Sequence, residues 1–213
     1  MNPPKPLRRL TATSRPPEQR AREAGFRRLA GVDEAGRGPW AGPVVAAAVI
    51  LRTPKLSVRI DDSKRLTPAQ RERAFDVILR HADVGVGVVC ADTIDQRNIL
   101  SATFLAMQHA VQDLAAPPEL VLVDGSLAPP LDMPCWAIVH GDARSYPIAC
   151  ASIIAKVTRD RLMAFYHRLL PQYAFDRHKG YGTAHHQQAL EQHGPSVLHR
   201  LTFRPVLLAA SGH

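Results

Sequence analysis

Two carboxylates, Asp33 and Glu34, stand side by side at the end of the apolar run 28–32, just before Gly36, Arg37 and Gly38. Asp124 closes a second apolar run, 120–123, and is followed by Gly125; Asp142 follows Val139, His140 and Gly141 after a third. Ends of neighbouring strands converge on one edge of a sheet, so acids placed there form a cluster whose mutual repulsion is costly unless a cation joins it. A hard divalent ion such as magnesium takes oxygen ligands and works through a few carboxylates together with substrate phosphate, which suits scattered Asp and Glu better than a His and Cys set would. Two such ions about 4 Å apart would activate a water and stabilise the departing oxygen of an in-line displacement. The chemistry so predicted is phosphodiester hydrolysis. Taken singly, Asp124 or Asp142 reads as an ordinary turn or helix-cap residue; the adjacent pair is harder to explain that way. The acids favour a metal site and leave the substrate open.

The elements that must carry these acids follow from apolar periodicity. Residues 28–32 and the β-branched-rich run Val44–Leu51 read as neighbouring strands joined by the Gly- and Pro-rich segment 36–43. Thr67 and Pro68 open a helix whose Ala74, Phe75, Ile78 and Leu79 share one face. A strand over 84–90 follows, then a helix striped by Leu100, Phe104, Met107, Val111 and Leu114, then the strand 120–123. A strand near 137–139 precedes a long helix starting at Ser145 or Ala149 and running to Leu169, and a helix over 183–193 ends at Gly194 and Pro195. Strands first, then strands alternating with helices, predict an α/β fold with a mixed sheet flanked by helices.

Residues 1–25 combine five prolines with many charges and few large apolar groups, a composition that predicts a disordered basic tail. Residues 26–213 are expected to form a single domain. The chain carries 27 basic against 19 acidic residues, and an excess of this kind favours a polyanionic partner; much of it sits in the first 28 residues, so a binding face on the folded part must be local. Cys90, Cys135 and Cys150 are widely spaced in apolar surroundings and read as buried free thiols in a reducing compartment. No stretch reaches membrane-spanning length, and the basic N-terminus lacks the apolar core of a secretory signal, so a cytoplasmic monomer without membrane contact is expected.

The string GVDEAGRGPWAGPVVAAAVI over 31–50 resembles the opening signature of the ribonuclease HII family, and DSKRL over 62–66 is similar to that family's second block. LVDG over 122–125, GDARS over 141–145, ACASIIAKVTRD over 149–160 and HKGYGT over 178–183 resemble further family blocks in the same order, so that the likeness covers about residues 29–206. The resemblance implies a ribonuclease H-like mixed sheet with flanking helices and a helical C-terminal extension. It implies that Asp33, Glu34, Asp124 and Asp142 are the catalytic and metal-binding acids, with Mg2+ or Mn2+ as cofactor. The implied reaction cuts the RNA strand of RNA·DNA hybrids, and cuts on the 5′ side of single ribonucleotides embedded in duplex DNA, leaving 3′-hydroxyl and 5′-phosphate ends. It assigns the 2′-hydroxyl contact to the backbone of Gly36, Arg37 and Gly38, a sugar contact to Tyr181 and a phosphate contact to Lys64.

Physical chemistry agrees with parts of this assignment. Discriminating RNA from DNA requires close polar contact with the 2′-hydroxyl, and glycine permits close backbone approach where a Cβ would obstruct it. Tyr181 offers an aromatic face, although a Tyr between glycines is commonly a loop anchor. Arg37, Lys156, Arg177 and Lys179 are weaker phosphate candidates, each equally a solvated surface charge. Asp160 rivals Asp142 for the fourth acid position, but Lys156 four residues before it and flanking Arg159 and Arg161 suit a helix-surface ion pair. His178, His185 and His186 read as exposed loop or helix residues, and Ser145 and Ser152 as capping or packing residues. Trp40 is larger than the residue expected beside the glycine loop. Two rival readings stay open: a hybrid-degrading enzyme that ignores single ribonucleotides, and a binding protein of the same fold without catalysis, against which the presence of all four acids speaks.

Overall fold

The computed structural model describes residues 15–211. A five-stranded sheet in the order β3-β2-β1-β4-β5 forms its centre: β1 (Leu29–Ala35), β2 (Val44–Leu51), β3 (Ala82–Val89), β4 (Leu120–Asp124) and β5 (Cys135–Ile138). The first three strands pair antiparallel, whereas β1–β4 and β4–β5 are parallel. The sheet is therefore mixed, with β1 between an antiparallel and a parallel neighbour.

Side chains of β2 alternate between two cores, as a strand buried on both faces requires. Val44, Ala46 and Ala48 join Ala102, Ala106, Met107 and Ala110 of the helix Ile99–Gln112 on one face. Ala47 and Val49 join Ala74, Phe75 and Ile78 of the helix Pro68–His81 and Cys150, Ile153, Ile154 and Val157 of the long helix Tyr146–Leu169 on the other. Taken in chain order these helices are α2 (Pro68–His81), α4 (Ile99–Gln112) and α6 (Tyr146–Leu169), with α1 (Pro17–Glu23), α3 (Ala91–Arg97) and α5 (Gly141–Arg144) between or before them. Thr67 and Gln70 close a reciprocal capping box at the start of α2, with Pro68 in its first turn. α6 begins directly on the sheet: a Cβ at Gly31 would lie 2.2 Å from the Pro147 carbonyl carbon.

The chain after α6 folds into the expected helical extension, with α7 (Phe175–His178), α8 (Ala184–His193) and α9 (Arg204–Ser211). Its own core of Met163, Tyr173, Phe175, Ala189, Leu190 and Val206 also takes in Ala41 from the segment between β1 and β2. That packing ties the segment after the first two acids to the end of the chain.

Three expectations need correction. The predicted tail is cut short by α1, whose Pro17 and Ala21 are buried, Ala21 in a cluster with Leu29, Leu120, Leu122, Ile138 and Ile148; a two-turn helix needs only one small apolar face, too little to register in composition. Residues 1–14 of that tail lie outside the described residues. Cys90 is exposed, in front of α3, while Cys135 and Cys150 are buried and burial pushes both thiols up to about 12. His186 is fully buried rather than exposed, and His178 is partly buried; only His185 lies on the surface.

Candidate active site

Sheet register brings the acids together. Val32 lies opposite Val123 in the parallel β1–β4 pair, so Asp33 and Asp124 both emerge one residue further on, at the same ends of adjacent strands. Asp124 in turn lies opposite Ile138 of β5. Beyond β5 the chain turns through left-handed His140 (φ 55°) into α5, which carries Asp142 in its first turn. The Gly141 N–H donates to Asp124 Oδ1 at 2.6 Å, locking that turn against the strand end. As a result one carboxylate oxygen from each of Asp33, Asp124 and Asp142 lies within 4.8 Å of the other two.

Electrostatics in this cluster are unfavourable without a counter-charge. Burial, followed by the negative charges of Glu34 and Asp124, holds the Asp33 carboxyl well above the ordinary range, opposed by hydrogen bonds from the Ser152 hydroxyl and the Glu34 N–H. Asp142 is raised by burial, then by Asp124 and Asp62, with Lys64 pulling the other way. Glu34 is raised mainly by burial, partly offset by Arg37, whose Nη1 lies 3.3 Å from Glu34 Oε1. Oxygen donors held this close, at a mouth only partly open to water, fit a hard divalent cation: it would replace mutual repulsion by attraction. Asp160 instead pairs with Lys156 at 2.7 Å on α6 and stands apart from the cluster.

Ser152, expected to pack, also reaches chemistry: its hydroxyl favours the charged form of the Asp33 carboxyl and lies 3.0 Å from that of Ser63. Ser63 belongs to a short 3-10 turn, Ser63–Arg65, capped by the Asp62 side chain, which puts exposed Lys64 near Asp142. Ser145 is buried and donates to Glu18 of α1.

The glycine loop lies next to the acids and beside Tyr181. Gly36 adopts φ +96°, and a Cβ there would collide with the Arg159 side chain at 2.0 Å. Gly38 is different: the nearest atom to its ideal Cβ is Tyr181 Cε1 at 3.9 Å, an ordinary van der Waals distance, so a side chain there would touch the Tyr181 ring without collision. Tyr181 is exposed, as are Arg37, Lys64 and Arg177; Lys179 is half-buried with its Nζ donating to the Asp176 carbonyl. Trp40 turns away from the acids, its ring tilted over His186 at 5.4 Å and against Gly182.

Sequence reasoning missed the residues that hold this loop. Arg159, read as flanking a surface ion pair, is buried and donates to the carbonyls of Ala41, Pro43 and Lys179. Arg200 is wholly buried and donates to the carbonyls of Gly36, Arg37 and Gly42. His199, also buried, bonds His186 at 3.0 Å between Nε2 atoms. A lone Arg or His in the sequence carries no mark that its partners will be backbone carbonyls brought from a hundred residues away.

Comparison with known proteins agrees with this architecture. The ribonuclease HII family model matches residues 30–206. Ribonuclease HII of Chlamydia muridarum is 53% identical over 191 residues, covering 89% of this chain and 88% of the relative. The crystal structure of ribonuclease H2 from Pyrococcus horikoshii OT3 superposes with a TM-score of 0.74 at 26% identity, covering 87% of this chain and 98% of that one. The fold is also that of Bst-RNase HIII in complex with Mn2+, at a TM-score of 0.73 and 20% identity over 95% of this chain and 75% of the other. Fold, acid cluster and relatives together define a metal-dependent ribonuclease H, a hydrolase acting on RNA·DNA hybrids. Within that class, the chain belongs to the ribonuclease HII family. Among the described residues no helix is long and apolar enough to cross a membrane.

Proposed function

We propose that this protein cuts the RNA strand of RNA·DNA hybrids and also incises duplex DNA on the 5′ side of a single embedded ribonucleotide, leaving 3′-hydroxyl and 5′-phosphate ends. Such an incision would open the removal of ribonucleotides from DNA. The observation that carries the reading is the adjacency of two features: three carboxylates within 4.8 Å, and a glycine loop whose exposed Gly38 lies beside the exposed Tyr181 ring.

Asp33, Asp124 and Asp142 would hold Mg2+ or Mn2+, with Glu34 completing the set from beside Arg37. When bound, a pair of such ions supplies acidification of the attacking water and charge to stabilise the departing oxygen. The chain's own residues do the rest. Asp33 is oriented by the Ser152 hydroxyl and the Glu34 N–H, and Asp124 by the Gly141 N–H, so the ligand oxygens are positioned before substrate arrives. Lys64, next to Asp142, offers a cation to a backbone phosphate, which positions the duplex without reading its sequence. The backbone of Gly36, Arg37 and Gly38 would meet the 2′-hydroxyl, a group DNA lacks, and the Tyr181 ring would pack on the neighbouring sugar. Every residue in this account comes from one chain, as a monomeric working unit would require.

The test is cleavage of a labelled DNA duplex carrying one ribonucleotide, with Mg2+ or Mn2+, against an all-DNA duplex and an Asp124→Asn variant. A single metal-dependent cut on the 5′ side of the ribonucleotide, absent from both controls, is expected. Cutting of long hybrids alone would remove the roles given to the glycine loop and Tyr181.

A further inference from the structure

We infer that Arg200, from the C-terminal extension, is the positioning residue that aims the glycine loop at the 2′-hydroxyl; the inference rests on the function proposed above. Arg200 is fully buried, yet among the described residues its guanidinium donates to backbone and not to a carboxylate: its partners are the Gly36, Arg37 and Gly42 carbonyls. A buried cation is costly unless every donor is satisfied, so a site that spends one on backbone carbonyls fixes those carbonyls firmly. Arg159, equally buried, takes the Ala41, Pro43 and Lys179 carbonyls and so extends the same hold to both the far end of the loop and the turn leading to Tyr181.

The consequence follows from peptide geometry. A trans peptide unit is planar with its C=O and N–H pointing in opposite directions, and no cis bond occurs among the described residues. With the Gly36 and Arg37 carbonyls drawn inward to Arg200, the N–H groups of Arg37 and Gly38 are turned outward. Two adjacent donors on exposed residues then stand beside the exposed Tyr181 ring, the place where a hydroxyl oxygen or its phosphate would sit. Backbone bonds hold the arrangement in register: Arg200 N–H donates to the Trp40 carbonyl, Gly42 N–H to that of Leu198, and Trp40 N–H to that of Gly180. Lysine at position 200 would keep the charge but lose the planar fork that grips several carbonyls together.

The test compares affinities for two duplexes that differ by one 2′-hydroxyl, using the full-length Asp124→Asn protein with and without Arg200→Lys. The expected result is a preference for the ribonucleotide duplex that falls by about tenfold in Arg200→Lys, with affinity for all-DNA duplex changed by less than about twofold because phosphate contacts remain. A purely structural role would weaken both duplexes together. A folded Arg200→Lys protein that keeps its preference overturns the inference and leaves the functional reading standing. Loss of all preference in the parent, with no cutting of the ribonucleotide duplex by the unsubstituted protein, overturns both. Amide exchange of Arg37 and Gly38 in the unsubstituted protein supplies a test that needs no variant. Rapid exchange in the free protein, slowed by the ribonucleotide duplex more than by all-DNA duplex, is expected; slow exchange in the free protein overturns the outward orientation.

Discussion

The acid cluster and the buried arginine–histidine region lie on either side of the glycine loop and solve opposite problems. Asp33, Asp124 and Asp142 are like charges brought close and left dependent on a cation. Arg159 and Arg200 are like charges brought close and made self-sufficient by six backbone carbonyls. On the same side as the arginines, His186 and His199 are buried neutral: burial lowers His186 to about 4 and His199 to about 3. Their protons have one consistent arrangement, since the Tyr181 carbonyl can only accept from His186 Nδ1 and the Ser196 N–H donates to His199 Nδ1, leaving His199 Nε2 to donate to His186 Nε2. Repulsion kept on one side is what draws in the ion; repulsion removed on the other is what keeps the loop rigid.

The largest expected effect separates the two regions by readout. Asp33→Asn or Asp124→Asn should lower cleavage on the order of a thousandfold, while thermal unfolding of the metal-free protein at neutral pH stays unchanged or moves upward, because a repelled charge is gone. A fall in stability with cleavage preserved would reverse the comparison. Arg159→Met should do the converse, destabilising by about 3 kcal/mol in denaturant titration because three buried carbonyls lose their donor.

The two loop glycines sharpen the contrast on a smaller scale. Gly36→Ala should cost about 2 kcal/mol of stability, from the positive φ and the collision with Arg159. Gly38→Ala should leave stability nearly intact and reduce ribonucleotide cutting by about tenfold, since its Cβ would meet the protein only at ordinary contact distance from Tyr181, on the side proposed for substrate. Equal stability loss in both variants would contradict the different surroundings assigned to them.

Acid titration should split the regions by sign. The unfolded chain protonates its histidines near 6.5, whereas folded His186 and His199 resist protonation until about 4 and about 3. Their contribution to stability is therefore intact above about pH 6.5 and is lost progressively as pH falls, toward about 4 for His186 and about 3 for His199. The raised carboxyls behave oppositely: folded Asp33, Glu34 and Asp142 take up protons before their unfolded counterparts, so acidification relieves their repulsion. His199→Gln should flatten the acid-side loss in a pH series of unfolding midpoints; Asp33→Asn should remove part of the opposing gain. The smallest effect belongs to Asp160→Asn, which breaks only the partly exposed pair with Lys156 and should change stability by about 0.5 kcal/mol and cleavage by less than about twofold.

Most of the sheet was legible because buried strands announce themselves as short apolar runs, and β1, β2 and β4 fall where those runs predict. Placing Asp33 and Asp124 at strand ends was legible for the same reason, since each directly follows such a run; Asp142, expected at a third strand end, lies instead in the first turn of α5, beyond β5. Their mutual distance was not: it depends on the β1–β4 and β4–β5 registers and on left-handed His140, none of which a linear pattern encodes. Arg159, His186, His199 and Arg200 were illegible in a stronger sense. Arg159 lies on the long helix α6, His186 on α8, and His199 and Arg200 in the segment after it. Polar residues in such places read as surface, and only tertiary partners, carbonyls for the arginines and Ser196 and His186 for His199, offset the cost of their burial. Helices α3 and α9 went unseen because seven or eight residues give too few turns for a periodicity to emerge.

Helix α1 bears on where this protein can be shortened. Glu18 accepts the Ser145 hydroxyl at the junction between α5 and α6, three residues beyond Asp142, and Ala21 caps the apolar end of the sheet beside Ile148. A trimmed version starting at residue 26, the boundary that composition suggests, would strip the acceptor from a buried hydroxyl and uncover that patch. The smallest version fit for assay or crystallisation starts no later than Arg15, and a kinetic defect in any shorter one would report on the footing of the Asp142 turn rather than on a missing nucleic-acid grip.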